Sequence, residues 1–332
     1  MTSTVLVTGA GGFIGSHLAE QLVLAGHDVR ALVRYNAAGM AGWLDSLTPD
    51  IRSAIDIVFG DIRDPHQMHA VVSGCRTVYH LAALIAIPYS YQAPASYVAT
   101  NVGGTLNLLQ AARDCGVERF VQTSTSEVYG SAQFVPISEA HPINAQSPYA
   151  ATKIGADQMA LSFHRSFELP VSVIRPFNTF GPRQSLRAII PTIISQFDQP
   201  QPRVKLGALH PTRDFTFVRD TVAGFMAIAA ADGAIGEVIN IGSGFEVSIG
   251  ALLNLIAKEI GVEPEVETDS QRVRPESSEV DRLWADVGKA RRLLEWHPNY
   301  SGIEGFSRGL RETIQWFRSS EAIRSDVGRY YL

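Results

Sequence analysis

Val5-Leu6-Val7-Thr8-Gly9-Ala10-Gly11-Gly12-Phe13-Ile14-Gly15 sets an apolar β-branched run, a glycine-rich turn and the start of an apolar helix in succession. Each glycine has a separate physical task. Gly9 permits the tight turn, Gly12 lets the backbone approach a pyrophosphate, and Gly15 lets the helix pack close to the strand. The N-terminus of a helix beginning at Phe13 adds a field that favours negative charge. A glycine turn alone says little. Between a strand and a helix it predicts a dinucleotide site formed by Gly9, Gly12, Phe13, Ile14 and Gly15.

The pattern continues outward. Short apolar runs at Val29–Val33, Ile55–Phe59, Thr77–Leu81, Phe120–Thr123 and Val171–Ile174 alternate with helical segments, notably Phe13–Ala25, Tyr97–Cys115 and Tyr149–Phe167. Such alternation predicts an α/β fold, a Rossmann-like doubly wound parallel sheet with ligands at the carboxyl ends of its strands. Gly26 and Gly116 stand where helices should stop. After residue 179 prolines punctuate the chain, which predicts a Rossmann domain over 1–179 and a smaller mixed α/β substrate lobe over 180–330. Two later runs, near Phe215–Val218 and Glu237–Ile241, are candidates to return to the main sheet.

Composition narrows the classes of function. The 332 residues carry a net charge of −5 and no lysine-arginine run, so a nucleic-acid footprint is not expected. No basic leader precedes the first strand, and the longest uncharged apolar stretch, around Leu81–Pro88, is too short to span a bilayer. Cys75 and Cys115 make no disulfide framework or metal motif and read as small buried residues of a cytoplasmic protein. No metal site is expected.

Tyr149 and Lys153 lie four residues apart, hence on one face of a helix. A nearby ammonium favours a phenolate, so Tyr149 is expected to accept a hydroxyl proton near neutral pH. Tyr-x-x-x-Lys by itself is commonly just a helix face; about one domain after the glycine turn it becomes half of a redox site. At the end of the second strand an acid would bind a ribose 2′-hydroxyl, whereas an arginine suits a 2′-phosphate. Asp28 comes too early and Arg34 stands at the end, so NADP is favoured over NAD.

These pieces together resemble the extended short-chain dehydrogenases/reductases that act on nucleotide sugars. The resemblance runs through Gly60-Asp61-Ile62-Arg63-Asp64, His80-Leu81-Ala82-Ala83, Asn101-Val102-Gly103-Gly104-Thr105, Arg175-Pro176-Phe177-Asn178 and Arg213-Asp214-Phe215 to Ala285-Asp286-Val287-Gly288-Lys289-Ala290, nearly the whole chain. Within that family, Thr125-Ser126-Glu127 is similar to the triplet of GDP-mannose 4,6-dehydratases. Looser matches around Leu84–Tyr91, Phe134–Ile137 and Leu206–Leu209 resemble the GDP-N-acetylglucosamine 4,6-dehydratases of legionaminic acid biosynthesis.

The resemblance implies a 4,6-dehydratase acting on an NDP-hexose or NDP-N-acetylhexosamine such as GDP-GlcNAc. Tyr149 would be the oxidation base, Lys153 its modulator and a ribose ligand, Thr125 the ligand of the C4 oxygen and Glu127 the base at C5. Ser126 stands where dTDP-glucose dehydratases carry Asp and is a poor acid, so either Glu127 returns the proton to the leaving hydroxyl or Ser126 takes part. The resemblance also adds Asp61, Ile62, Leu81, Ala82 and Ala83 to the cofactor site. It assigns Asn178, Arg187, Arg213, Arg274 and Arg282 to the substrate, with Arg183 as a structural alternative. An apolar wall, Ile85-Ala86-Ile87-Pro88-Tyr89, would suit an N-acetyl methyl. A UDP-glucuronate decarboxylase and a sugar 4-epimerase stay open as alternatives, as does a dinucleotide-sensing regulator. A homodimer is expected, with Tyr97–Cys115 and Tyr149–Phe167 pairing through apolar residues (Leu106, Leu108, Leu109, Met159, Leu161, Phe163).

Overall fold

The computed structural model describes residues 4–199, 203–263, 265–269 and 280–319. Its strands, in chain order, are β1 (Thr4–Thr8), β2 (Asp28–Arg34), β3 (Ile55–Gly60), β4 (Cys75–His80), β5 (Arg119–Thr123), β6 (Val171–Pro176), β7 (Asn178–Phe180), β8 (Arg203–Leu206), β9 (Thr212–Phe217), β10 (Val238–Ile241), β11 (Glu246–Ser248), β12 (Glu265–Thr268) and β13 (Arg282–Leu283). Seven of them form one parallel sheet in the order β10-β6-β5-β4-β1-β2-β3. This is the doubly wound α/β architecture that the alternation predicts.

Strand alternation sends side chains to two separate cores. Leu6, Leu32, Val78, Phe120 and Val173 face one side, under Leu108, Leu109, Leu161 and Phe163. Val5, Val7, Val33, Val121 and Ile174 face the other, where the core runs on into the lobe through Phe180, Phe215 and Phe306. β6 is buried along its whole length, as a central parallel strand covered on both faces must be.

Helix ends follow local chemistry in most places. The long helix Pro148–Phe167 starts at Ser147, whose hydroxyl accepts from Ala150 N at 3.1 Å, with Pro148 in the first turn. Gly26 and Gly116 stop their helices at positive φ of 84° and 69°. The predicted helix Tyr97–Cys115 begins earlier, at Pro94, and passes through a π-helical segment Val98–Gly103 before Gly104–Asp114.

The two candidate returning strands separate. β10 lies at the edge of the main sheet, parallel to β6. β9 does not return. It pairs with β7, β11 and β13 in a small lobe sheet. The reason is polar: Asp214, fully buried in β9, accepts from Ser243 N at 2.7 Å and Gly244 N at 2.9 Å, just past β10. Those bonds anchor the strand beside β10's exit instead of in the main sheet.

Cys75 is buried, but Cys115 is only half-buried, a departure from the expected pair of buried thiols. Of the apolar residues expected to pair in a dimer, Leu108, Leu109, Leu161 and Phe163 belong to this chain's own core. Leu106 and Met159 are only partly buried. No described helix is long and apolar enough to cross a membrane, and no described cluster of His, Cys, Asp or Glu could hold a metal.

Candidate active site

A cleft of about 1380 Å³ opens at the carboxyl ends of the main-sheet strands and extends to Leu206, Arg213 and Ile249. A single small-molecule site usually takes about 300–1,000 Å³, so this cleft has room for a dinucleotide and a second ligand together. Every residue expected to hold cofactor lines it: Gly9, Gly12, Phe13, Ile14, Gly15, Arg34, Asp61, Ile62, Leu81, Ala82, Ala83, Tyr149 and Lys153.

The chain packs so closely on itself at the two ends of the glycine turn, Gly9 and Gly15, that neither has room for a Cβ. Gly9 sits at φ 69°, and a Cβ on it would lie 2.8 Å from Ala82 N. On Gly15 a Cβ would meet Gly9 O at 2.3 Å. A buried bond chain braces the turn from behind. Thr8 Oγ1 accepts from Leu81 N at 3.2 Å and Ala82 N at 3.1 Å. Its own proton therefore goes to His80 Nδ1 at 2.8 Å, and His80 Nε2 donates to Thr105 Oγ1 at 3.0 Å. Burial pushes His80 down to about 3, with the Lys153 charge adding to the effect, so the ring is neutral. At the far end Arg34 and Asp61 share the lining, and Asp61 is held below its usual range, first by its hydrogen bonds from Arg63.

Thr125, Ser126, Glu127, Tyr149 and Lys153 come together in the same cleft. β5 delivers the triplet: Thr125 caps a short 3₁₀ turn Ser126–Tyr129, its hydroxyl accepting from Glu127 N at 3.3 Å. Tyr149 stands in the first turn of its helix and Lys153 one turn on, both nearly buried. Tyr149 is hydrogen-bonded to Thr125 and feels the Glu127 charge.

The expected direction of the Tyr149 shift is corrected. Burial pushes the phenol above its usual range; the Thr125 hydrogen bond pulls it back, and the Glu127 charge pushes it further up. Burial also weakens the cation that was to lower it. Lys153 is pushed down to about 8, with the Asp157 charge opposing. Removing water from the helix face disfavours phenolate and ammonium alike.

On the substrate side Asn178, Arg187 and Arg213 line the cleft. Arg282 does not. β13 pairs Arg282 with Thr212 and Leu283 with Arg213, so Arg282 lies on the sheet face opposite Arg213. There its Nε donates to Glu246 at 2.9 Å. Arg274 lies outside the described residues. Arg183 is structural, ion-paired to Glu20 at 2.7 Å. Ile85, Ile87, Pro88 and Tyr89 also line the cleft.

Several lining or supporting groups escaped the sequence reading. Thr123 and Gln184 line the cleft, and Thr123 Oγ1 and Gln184 Oε1 are buried with no hydrogen-bond partner among the described residues. Asn101 ties the loop after β4 to the catalytic helix, accepting from Leu84 N at 2.8 Å and donating to Thr152 Oγ1 at 3.0 Å. Tyr97 donates to Ala86 O and packs edge-on against Tyr149. Beneath Lys153, Asp157 takes a hydrogen bond from Ser124 and an ion pair from Arg175 at 3.3 Å. The acid one turn after Lys153 was the readable signal for that last group.

Residues 6–309 match the model of the GDP-mannose 4,6 dehydratase family. A UDP-N-acetyl-alpha-D-glucosaminuronate decarboxylase of Bacillus cytotoxicus is 34% identical, over 97% of this chain and 99% of that protein. Among solved structures, DesIV of Streptomyces venezuelae, a dTDP-glucose 4,6-dehydratase with NAD bound, superposes with a TM-score of 0.86 at 31% identity, covering 96% of this chain and 98% of that one. The UDP-glucuronic acid 4-epimerase of Bacillus cereus, bound to NAD and its sugar nucleotide, has a TM-score of 0.85 at 29% identity, over 95% and 99%. The chain belongs to the GDP-mannose 4,6-dehydratase family, NAD(P)-dependent extended short-chain dehydrogenases/reductases that act on nucleotide sugars.

Proposed function

We propose that the chain is a nucleotide-sugar 4,6-dehydratase. The supporting observation is Glu127, a carboxylate in the same cleft as Tyr149 and close enough to act on its charge. Tyr149, ionised once the positive charges of Lys153 and of a bound cofactor offset its burial, would take the proton of the C4 hydroxyl while Thr125 hydrogen-bonds its oxygen. The new C4 carbonyl acidifies C5, Glu127 removes the C5 proton, and the C6 hydroxyl leaves with a proton as water. Glu127, now protonated, is the better donor to that hydroxyl, and Ser126 orients it. When bound, a nicotinamide would supply the hydride acceptor for C4 and the hydride donor for C6, and with a solvent proton returning to C5 through Glu127 the sugar loses only water overall. The turn from Gly9 to Gly15 and the Tyr149–Lys153 face would hold this cofactor. Arg34 at the cleft's end favours NADP.

The diphosphate of the substrate falls to Asn178, Arg187 and Arg213, an anion needing cations or oriented donors. Ile85, Ile87 and Tyr89 favour an N-acetylhexosamine, with GDP-GlcNAc as the substrate to try first. A decarboxylase is the second reading, favoured by the 34% identical relative of that activity. The same reading includes the division into a domain over 1–179 and a lobe over 180–330, with β10 lying in the sheet of the first. It also includes a cytoplasmic homodimer, whose contact would use the exposed Val98 and Phe167 beside Leu106 and Met159.

The test is incubation with GDP-, UDP- and dTDP-sugars in deuterated water, with mass spectrometry of the products. Wild type is expected to release water and carry deuterium at C5. Glu127→Gln should still oxidise C4 but stop there, because an amide cannot take the C5 proton. Turnover without C5 exchange, or with loss of carbon dioxide, would refute the dehydratase.

A further inference from the structure

We propose that Arg183 is a positioning residue for the substrate's nucleoside diphosphate, clasping the cleft-lining segment 184–190 to the helix Phe13–Leu24 that opens at the glycine turn. This rests on one part of the functional reading, that Arg187 meets the diphosphate.

Arg183 holds φ at 67°, in the left-handed region that a side chain rarely enters. Its guanidinium explains the exception. Nη2 pairs with Glu20 Oε2 at 2.7 Å, and the two side chains are only 13% and 22% exposed. Nη1 reaches Ser16 Oγ at 3.5 Å. Ser16 and Glu20 are four residues apart and share one face of their helix, beside His17. One residue before Arg183, Pro182 O accepts from His17 Nε2 at 3.0 Å. A carbonyl only accepts, so the proton of the His17 ring sits on Nε2.

Ser16, His17, Glu20 and Arg183 lie outside the cleft lining, yet both segments they join belong to it. The helix contributes Phe13 and Ile14 on the cofactor side, and the segment after the turn contributes Gln184, Ser185 and Arg187. Beyond the turn, Gln184 Nε2 donates to Thr179 O at 2.9 Å and Ala188 N to Ser185 O at 2.9 Å. Those bonds shape the segment without tying it to the cofactor half. A turn kept for its shape alone would favour glycine. An arginine held there against its backbone preference points to the side chain, and the side chain reaches the cofactor helix.

Arg183→Gly separates shape from clasp, because glycine suits φ 67° and loses only the guanidinium. The full-length protein is titrated by calorimetry with UDP, GDP and dTDP, and separately with NAD⁺ and NADP⁺. The nucleoside diphosphate that wild type binds best should bind Arg183→Gly about tenfold more weakly, with cofactor affinity kept within about twofold. Amide hydrogen exchange across 184–190, measured without ligand, should quicken by about the same factor. Glu20→Gln should move both readouts the same way by less, and Arg183→Lys, which keeps the charge, should restore most of the loss. A residue serving stability alone would lower the denaturation midpoint and move neither affinity nor local exchange. Either readout unchanged in Arg183→Gly would overturn the proposal, as would an equal loss for cofactor and nucleoside diphosphate. Should Arg183→Gly not fold, Glu20→Gln decides by the same criteria. Arg187→Ala keeps the two readings apart. Full nucleoside diphosphate affinity there refutes the role given to Arg187, whereas a loss there with Arg183→Gly unaffected refutes the clasp alone.

Discussion

In the sheet half of the molecule a neutral ring, His80, ties β4 to β1 and to the helix Gly104–Asp114, through Thr8 at 2.8 Å and Thr105 at 3.0 Å. In the lobe a carboxylate, Asp214, performs the corresponding task. It accepts from Ser243 N at 2.7 Å, Ser243 Oγ at 2.6 Å, Gly244 N at 2.9 Å and Ala285 N at 3.3 Å. Both hubs are fully out of water and both join segments far apart in sequence. Their materials are opposite. The sheet half joins side chain to side chain without charge, around a turn that must stay rigid for a pyrophosphate. The lobe gathers loose backbone N–H groups around one negative charge. A hub made of backbone donors depends on its one acceptor, whereas a chain of neutral hydroxyls and imidazole spreads the dependence.

The largest effect should therefore come from Asp214→Ala. Three backbone N–H groups and the hydroxyls of Ser243 and Thr216 would lose their acceptor inside the protein, at about 1–3 kcal/mol for each donor left dry. Water entry and relief from burying the charge offset part of this. We expect a loss on the order of 3–5 kcal/mol in chemical denaturation. A loss under about 1 kcal/mol would remove the asymmetry between the two hubs.

In the sheet half the matching experiment is Gly15→Ala. The added methyl would meet Gly9 O at 2.3 Å and Ala10 Cα at 2.9 Å, both backbone atoms that cannot swing aside. Overpacking of this kind costs about 1–3 kcal/mol, and here it displaces the turn itself. NAD(P)⁺ affinity, read by calorimetry, should weaken about tenfold to a hundredfold, the same range expressed in binding. Unchanged affinity would mean that the turn does not bear on the cofactor.

The same contrast explains what could be read in advance. Gly9 to Gly15 is contiguous, each residue has a local reason, and the strand before and helix after are visible by pattern. Tyr149 and Lys153 are one helical turn apart, so their meeting is local too. Asp214 is different: its donors come from residues 243, 244 and 285, and no local rule joins them. For that reason β9, an ordinary apolar-looking run and one of two candidates for the main sheet, lies in a separate small sheet. Arg282 lies away from the cleft for a related reason, since only the register of β13 on β9 decides which face it takes. The direction of the Tyr149 shift was misjudged because spacing reveals the cation but not the burial of both partners.

The smallest effect concerns pH, where the two hubs should pull in opposite directions. Burial lowers His80 from 6.5 to about 3, so its contribution is present above pH 6.5 and lost as pH falls through about 3. His17, lowered to about 4 first by burial and then by the Arg183 charge, has the same sign. Asp214 is raised by burial from 3.8 to about 6, against hydrogen bonds led by Ser243. Its contribution is present below pH 3.8 and lost as pH rises through about 6. Between about pH 4 and 6 the two histidines outweigh Asp214 by about one proton, each proton worth about 1.4 kcal/mol per pH unit. Asp214→Asn leaves the histidines unopposed, so its stability should fall as the buffer is acidified across this window. His80→Asn leaves Asp214 less opposed, and the slope should flatten or reverse. Denaturation midpoints of the two variants at pH 4, 5 and 6 measure the divergence. Parallel slopes would mean that the hubs do not differ in the charge they bury.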